Sequence, residues 1–496
     1  MKLAFQGHNE LYVVEQSLMT LFPEERPVYE PIDFENDRSW AVISLREEDE
    51  GGATRCHVTT ELCYEGRQLP FTLDCDLTGT DYEKEGQRRW AVAASFFQAA
   101  HQLTGIQPPW GMLTGVRPDK PVTQLLEQGK SPEYVREWML NHYFVTPERT
   151  DLAMETGTMA YNALRRLQPK DVAVYVGIPF CPSRCVYCSF VSQSVEKSFK
   201  LVPPYVDALV EEIRAGGRML REQGLTVPAF YMGGGTPTTL TAEQMDRVLT
   251  AFEESFDMDY CKEITVEAGR PDTITEDKLR VMKAHGVTRI SVNPQTMEDH
   301  VLEAIGRRHS AKDIIDTMEL VDKIGFPHVN MDLIAGLPED TPEGFRRSLD
   351  RCLQFGVHDI TVHTLALKKG SRILMEGLAI PGAEEVGEML AYAAPTLRKA
   401  GFAPYYLYRQ KYMSGSFENI GWCRSGDICW YNVYIMSELC SILSFGAGGS
   451  TKMVEPGTNH IERAFNLKYP KEYTERPEKW AANQAAFADF YQKLGL

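Results

Sequence analysis

Three cysteines, Cys181, Cys185 and Cys188, fall within one short loop of the segment VAVYVGIPFCPSRCVYCSF. Grouped thiolates of this kind hold iron–sulfur clusters. Three of them on a four-iron cluster would leave one iron open to bind something else. Zinc suits the pattern less well. Its sites pair two cysteines two to four residues apart with another pair or a histidine further on, and no such partner follows nearby. Pro179 and Pro182 stiffen the loop backbone.

The elements that must position this loop can be read around it. From residue 172 short apolar strands alternate with amphipathic helices. The expected strands are AVYVGI (173–178), AFYMGG (229–234), EITVEAG (263–269), RISVNPQ (289–295), VNMDLIAG (329–336) and DITVHTL (359–365). Thr241 and Gln244 form a capping box ahead of an apolar face of Met245, Val248, Leu249 and Phe252. Ser310 precedes a helix with Ile314, Ile315, Met318 and Val321 on its buried side. Thr341, followed by Pro342 at the first helical position, starts another. Gly286, Gly325 and Gly356 fall where the helices stop. Helix, glycine and apolar strand in repetition mean parallel strands covered by helices. Six such units predict an α/β fold, a partial TIM-like (β/α)6 barrel. A flat doubly wound sheet is the competing architecture. In either, chemistry belongs at the carboxyl ends of the strands.

Polar and glycine residues mark those ends. YMGGGTPT places Gly233, Gly234 and Gly235 where backbone groups can approach a ligand. The turn is not G-x-G-x-x-G, so a nicotinamide site is not implied. Glu267, Gln295 and Asp332 end three successive strands. The carboxylates can accept hydrogen bonds from ribose hydroxyls or a ligand ammonium; capping of nearby helix N-termini is the alternative account.

At 496 residues the chain exceeds one hydrophobic core. Residues 1–165 read as an N-terminal α+β accessory domain, with strands in AVISLREED and RCHVTTELCYEG and a buried helix in RRWAVAASFFQAAHQL. Residues 166–370 form the barrel core. Residues 371–496 read as a smaller mixed C-terminal domain whose aromatics either make a core or wall a flat organic substrate. A net charge of -17 disfavours a nucleic-acid surface and leaves room for a local basic pocket. No apolar run approaches the ~18 residues of a membrane span, and MKLAFQGHNELYVVEQ turns polar too early for a secretory signal. Eleven scattered cysteines point to a reduced, cytoplasmic setting. Cys56, Cys63, Cys75, Cys261, Cys352 and Cys440 read as buried small hydrophobes, and Cys423 with Cys429 as structural.

The cysteine loop resembles the signature of the radical SAM superfamily at all three thiols. That resemblance implies a [4Fe–4S] cluster whose open iron is chelated by S-adenosylmethionine. One electron then cleaves the sulfonium to methionine and a 5′-deoxyadenosyl radical. With GGGTPT, VEAGRP, RISVNPQ, GRRHS and NMDLIAGLP, residues 172–370 are similar to the oxygen-independent coproporphyrinogen III oxidase (dehydrogenase) family. Residues 1–165, LTGVRPDKP, HTLALKKGS and YYLYRQKYMSG resemble its HemZ-type branch. The family's tyrosine six residues before the first cysteine, which helps hold cluster and cofactor, is here Tyr175. Cofactor contacts implied by the resemblance are Tyr187, stacked near adenine, with Gly234, Gly235, Thr236, Glu267, Gln295, Arg307 and Asp332. Two positions depart from the well-characterised bacterial dehydrogenase. Gly177 stands for a histidine, and Phe190 for a further cysteine.

The implied reaction is oxidative decarboxylation of two propionates of coproporphyrinogen III to vinyls, giving protoporphyrinogen IX. It uses two adenosylmethionine molecules per turnover and an external electron donor and acceptor. A tetrapyrrole with four carboxylates asks this acidic chain for local cations. Arg307, Arg308, Lys368, Lys369, Arg409 and Lys411 are available, and Arg409 and Lys411 stand in the aromatic stretch YYLYRQKY. His309 and His363 are expected as proton donors or carboxylate contacts, His363 beside Tyr175 in the catalytic set. Two alternatives share the motifs. One is a radical methyltransferase or ring-opening enzyme acting on a porphyrin. The other is a haem chaperone without dehydrogenase activity, although WYNVYI lacks the histidine of the chaperone string HNxxYW.

Overall fold

The computed structural model describes residues 1–50, 53–189, 192–368, 370–410, 415 and 417–495. Alternating apolar and polar residues in the first 80 positions build a sheet of β1 (Lys2–Gln6), β2 (Ser39–Glu50), β3 (Ala53–Tyr64) and β4 (Arg67–Leu77), in that order. β1 runs parallel to β2, and the rest are antiparallel. Glu65 and Gly66 both have positive φ (53° and 82°), the two-residue turn whose twist suits a β-hairpin. Helix Asp81–Thr104 begins with a Thr80–Glu83 capping box, ends at left-handed Gly105, and buries Ala91–Phe97 in the sheet's core. The chain divides into two compact units. One is Met1–Pro118 with Leu125–Met154; the other is Asp119–Gln124 with Glu155–Leu496.

In the second unit all six expected strands form: β5 (Val172–Ile178), β8 (Ala229–Gly234), β9 (Glu263–Gly269), β10 (Arg289–Val292), β11 (His328–Ala335) and β12 (Asp359–Thr364). Two-residue strands β6 (Phe180–Cys181) and β7 (Gln193–Ser194) lie in the cysteine loop. Neighbouring barrel strands are parallel and follow chain order without reversal. A doubly wound sheet reverses its strand order at a switch point. Its absence from these strands makes this a singly wound partial barrel. The capping expectations hold: Thr241, Ser310 and Thr341 each accept from an N3 backbone amide. One helix face differs slightly, since Thr317 is buried and Ile315 only half-buried.

The C-terminal segment adds β13 (Phe402–Tyr408), β14 (Asn419–Arg424), β15 (Ser441–Phe445), β16 (Ser450–Val454) and β17 (Ile461–Phe465). β14 pairs antiparallel with β12, and β15 pairs parallel with β5, so both edges of the barrel are covered. Among the described residues the sheet has 11 strands. No helix is long and apolar enough to cross a membrane among the described residues.

Candidate active site

The cysteine loop leaves β5 at Ile178 and is fastened at several points. β6 pairs with β7, and Gln193 N donates to Pro179 O at 2.9 Å. Val186 N donates to Ile305 O at 3.1 Å, and Val186 O accepts from Ile373 N at 3.2 Å. Ser183 Oγ donates to Gly306 O at 3.1 Å and accepts from Arg270 Nη1 at 2.8 Å. The buried Arg270 is gripped at two points by Asp272, 3.0 and 2.8 Å. Burial raises the Asp272 carboxyl, but His309 and Arg270 outweigh that and hold it far below the usual carboxylate range. Loop position is therefore set by backbone bonds and one charge-assisted pair.

A cavity of about 410 Å³ opens at the carboxyl ends of the barrel strands. Cys181, Cys185 and Cys188 line it together with Tyr187, Gly234, Gly235, Thr236, Glu267, Gln295, Arg307, Asp332 and His363. Five consecutive barrel strands, β8 to β12, and the loop after β5 thus aim their expected residues into one space. Tyr175 stands behind the wall: a Cβ on Gly234 would come within 3.2 Å of its hydroxyl. His309 does not line the cavity; it is buried with Nδ1 3.7 Å from Asp272. Arg409 is also off the lining, and burial pulls its guanidinium below the ordinary value. Lys411, Lys369 and Phe190 lie outside the described residues. Of the remaining cations, Lys368 lines the cavity, while Arg308 is exposed and paired with Glu196.

The glycine turn has a steric reason. A Cβ on Gly233 would sit 2.8 Å from the Glu267 carboxyl carbon, and one on Gly235 would sit 2.6 Å from Phe180 O. Gly235 N donates to Ile178 O (2.8 Å) and Thr236 N to Phe180 O (2.7 Å), tying the turn to the start of the cysteine loop. The expected strand at 289–295 stops at Val292, because Gln295 turns into the left-handed region at φ 68°. Its backbone then pairs with β11, N to Asp332 O (2.9 Å) and O from Ile334 N (3.0 Å). A non-glycine residue held there is strained and overdetermined by its surroundings, as binding residues often are.

The two carboxylates differ in character. Burial pushes Glu267 up to about 7, against a 2.6 Å hydrogen bond from Tyr231. Burial also acts on Asp332, but His363, at 3.8 Å, and the Asn330 amide, at 2.8 Å, hold it below the ordinary value. Environments that separate two neighbouring carboxyls in this way allow them different tasks. Arg307 donates to Asn293 O (2.6 Å) and Tyr187 Oη (3.2 Å) and interacts with Cys185.

An iron–sulfur cluster fits the chemistry of these donors. The three cysteines are outside any disulfide and share one wall, with Thr236 Oγ1 3.6 Å from Cys181 Sγ. Among the described residues no three His, Cys, Asp or Glu side chains converge as they would on a single metal ion. A four-iron cluster takes its thiolates on separate irons and spreads them over its own width.

Several lining residues were not anticipated. Tyr231 stands beside Tyr175 in register and stacks on Tyr431 at 4.6 Å. Tyr406 and Tyr408 alternate along β13 and face the cavity, while Tyr405 is buried away from it. Asn432 and Met436, one helical turn apart, complete that side. The tyrosine alternation in YYLY carried the signal; the Asn–Met spacing on the largely apolar helix Trp430–Ser437 did not.

The family description "Radical SAM superfamily" matches residues 175–352. A relative from Bacillus subtilis (strain 168), the "Oxygen-independent coproporphyrinogen-III oxidase-like protein HemZ", is 36% identical over 415 residues, 83% of each chain. The chain belongs to the radical SAM superfamily, in the HemZ family. The "Heme chaperone HemW" of Lactococcus lactis is 30% identical over 240 residues, 48% of this chain and 61% of that one. Among solved structures, "Coproporphyrinogen III oxidase (HemN) from Escherichia coli" superposes with TM-score 0.51 at 23% identity, covering 65% of this chain and 72% of that chain. That likeness confirms the fold of the superfamily, a partial barrel with flanking elements. Superfamily membership implies a site for an iron–sulfur cluster and adenosylmethionine.

Proposed function

We propose that this chain is a radical SAM oxidoreductase that decarboxylates two propionates of coproporphyrinogen III to vinyls, giving protoporphyrinogen IX in oxygen-independent haem biosynthesis. The reading rests on one observation above others: the three cysteines and Glu267, Gln295, Arg307 and Asp332 line a single cavity. Similarity to a HemZ protein over 83% of the chain supports the substrate.

In this reading Cys181, Cys185 and Cys188 hold a [4Fe–4S] cluster. The cluster and bound adenosylmethionine supply one-electron cleavage and a radical able to abstract a propionate β hydrogen. Glu267 accepts the cofactor's ammonium, and Asp332 accepts ribose hydroxyls. The turn at Gly234, Gly235 and Thr236 offers backbone groups close to the cofactor's amino-acid end. Arg307 steadies Tyr187 beside the adenine and lies against Cys185. Gln295 holds a fixed amide at the cavity wall. Tyr175, behind Gly234, supports the turn through its ring and hydroxyl. His363, 3.8 Å from Asp332 and 3.5 Å from the Tyr408 hydroxyl, can pass a proton between cavity and wall. Tyr406 and Tyr408 give the tetrapyrrole a flat apolar surface, and Lys368 gives one propionate a cation. Arg409 and Lys411 extend that basic set, and His309 acts through Asp272 and Arg270 on the loop. A second adenosylmethionine and external redox partners complete the stoichiometry. Residues 371–496 form the covering domain, 1–165 the accessory domain, and the setting is a reduced cytoplasm.

The test is an anaerobic assay of the reconstituted protein with coproporphyrinogen III and with haem, all products followed by mass spectrometry. The reading expects deoxyadenosine, carbon dioxide and a divinyl product from coproporphyrinogen III. Methyl transfer to the ring, or haem retention without deoxyadenosine release, contradicts it.

A further inference from the structure

A pair of thiols in the first unit has a geometry that buried hydrophobes do not need. Cys56 of β3 stands directly opposite Cys75 of β4 in the antiparallel register. Directly opposed residues on such strands hold their Cα atoms ~4.5–5.5 Å apart. A disulfide requires ~4.4–6.8 Å between Cα atoms. Both side chains share one sheet face, since they alternate with exposed neighbours and sit with the core packed under helix Asp81–Thr104. The two thiols are close enough to shift each other's ionisation. Cys56 is fully buried, but Cys75 is only partly so, which departs from the expectation that both are buried apolar residues.

The charged groups around the pair are unequal. Glu47 of β2 is the register partner of Cys56 and is bound by Arg88 from the helix. Asp74 and Asp76 flank Cys75, with His57 paired to Asp74. Interaction with the neighbouring Cys56 thiol leaves the more exposed Cys75 thiol below its ordinary value and Cys56 well above. Attack therefore begins at Cys75, because the thiolate is the nucleophile.

We propose that Cys56 and Cys75 form a reversible cross-strand disulfide by exchange with a low-molecular-weight disulfide. Cys75 gives its proton to water, and its sulfur attacks one sulfur of the small disulfide. That bond breaks, and the expelled thiolate takes up a proton. The Cys56 sulfur, losing its own proton, then attacks the Cys75 sulfur and expels the second small thiolate, which is protonated in turn. Two protein thiols lose two electrons and two protons, and one small disulfide becomes two thiols. The bond staples β3 to β4, giving the accessory unit a redox-sensitive covalent state separate from the cysteine loop.

The test uses the full chain, reconstituted anaerobically, then exposed to oxidised glutathione, alkylated, digested and analysed by mass spectrometry. The expected result is a linked Cys56–Cys75 peptide that dithiothreitol dissolves. The Cys56→Ser chain should retain one glutathione on Cys75. The proposal is overturned if both cysteines of the unsubstituted chain remain alkylatable under glutathione that modifies other thiols. A stable glutathione adduct on Cys75 without the linked peptide overturns it equally; neither readout depends on the folding of the variant.

Discussion

Replacing Glu267 by glutamine should strengthen the ligand-free fold and weaken the cofactor site together. The carboxyl is raised from an ordinary 4.5 to about 7, with burial as the largest cause. The folded chain therefore holds this proton more tightly than the unfolded chain. Stability falls as pH rises through 4.5 and the loss levels off above about 7. At ~1.4 kcal/mol per unit, the penalty approaches ~3 kcal/mol, reduced wherever cavity water reaches the carboxylate. Glutamine removes the charge and keeps an oxygen for the Tyr231 hydroxyl. The melting temperature of the ligand-free protein should rise by a few degrees at pH 8, and by less near pH 5. Loss of a charge-assisted bond to the cofactor ammonium costs ~1.5–3 kcal/mol, so adenosylmethionine should bind roughly 10- to 150-fold more weakly. In the unsubstituted protein its affinity should climb as pH passes about 7, where Glu267 ionises. Calorimetric titration across pH with parallel thermal melts measures both effects. A glutamine variant that melts lower and binds adenosylmethionine unchanged would refute the assignment of Glu267 to the ammonium.

Arg270→Leu should leave the partly exposed Asp272 without its cation and release Ser183, and partial solvation of the carboxylate keeps the cost to ~1–3 kcal/mol. Thermal melting should show that loss, and a chelator should strip iron from the reconstituted loop faster than from the unsubstituted protein; equal rates would mean that Arg270 does not position the cysteines. At Gly421, opposite Tyr406 in register, a Cβ would fall 1.9 Å from a carbon of the tyrosine ring. Gly421→Ala should therefore cost ~1–3 kcal/mol and raise KM for the tetrapyrrole while sparing adenosylmethionine affinity, as steady-state kinetics and titration would show.

The barrel was readable in the chain because its signals are local. Capping boxes at Thr241 and Ser310 and the stop at Gly325 depend on neighbours a few residues away. The site was readable to the extent that its residues end strands, as Glu267 and Asp332 do. Tyr231 escaped because its partners, Glu267 and Tyr431, come from distant segments. The end of the strand at Val292 is not legible either, since nothing in RISVNPQ announces that Gln295 will cross to β11. His309 looks like a ligand beside Arg307 and Arg308, but the turn after the preceding helix sends it inward to Asp272. Cooperation of Arg270 with Ser183 spans 87 positions and has no local pattern at all.

The most direct measurement is electron paramagnetic resonance of the anaerobically reconstituted, reduced protein with adenosylmethionine carrying a labelled amino nitrogen. Coupling between that nitrogen and the cluster, lost in a Cys185→Ala chain, is the predicted result. A reduced cluster whose spectrum ignores the labelled compound would contradict an iron left open by Cys181, Cys185 and Cys188.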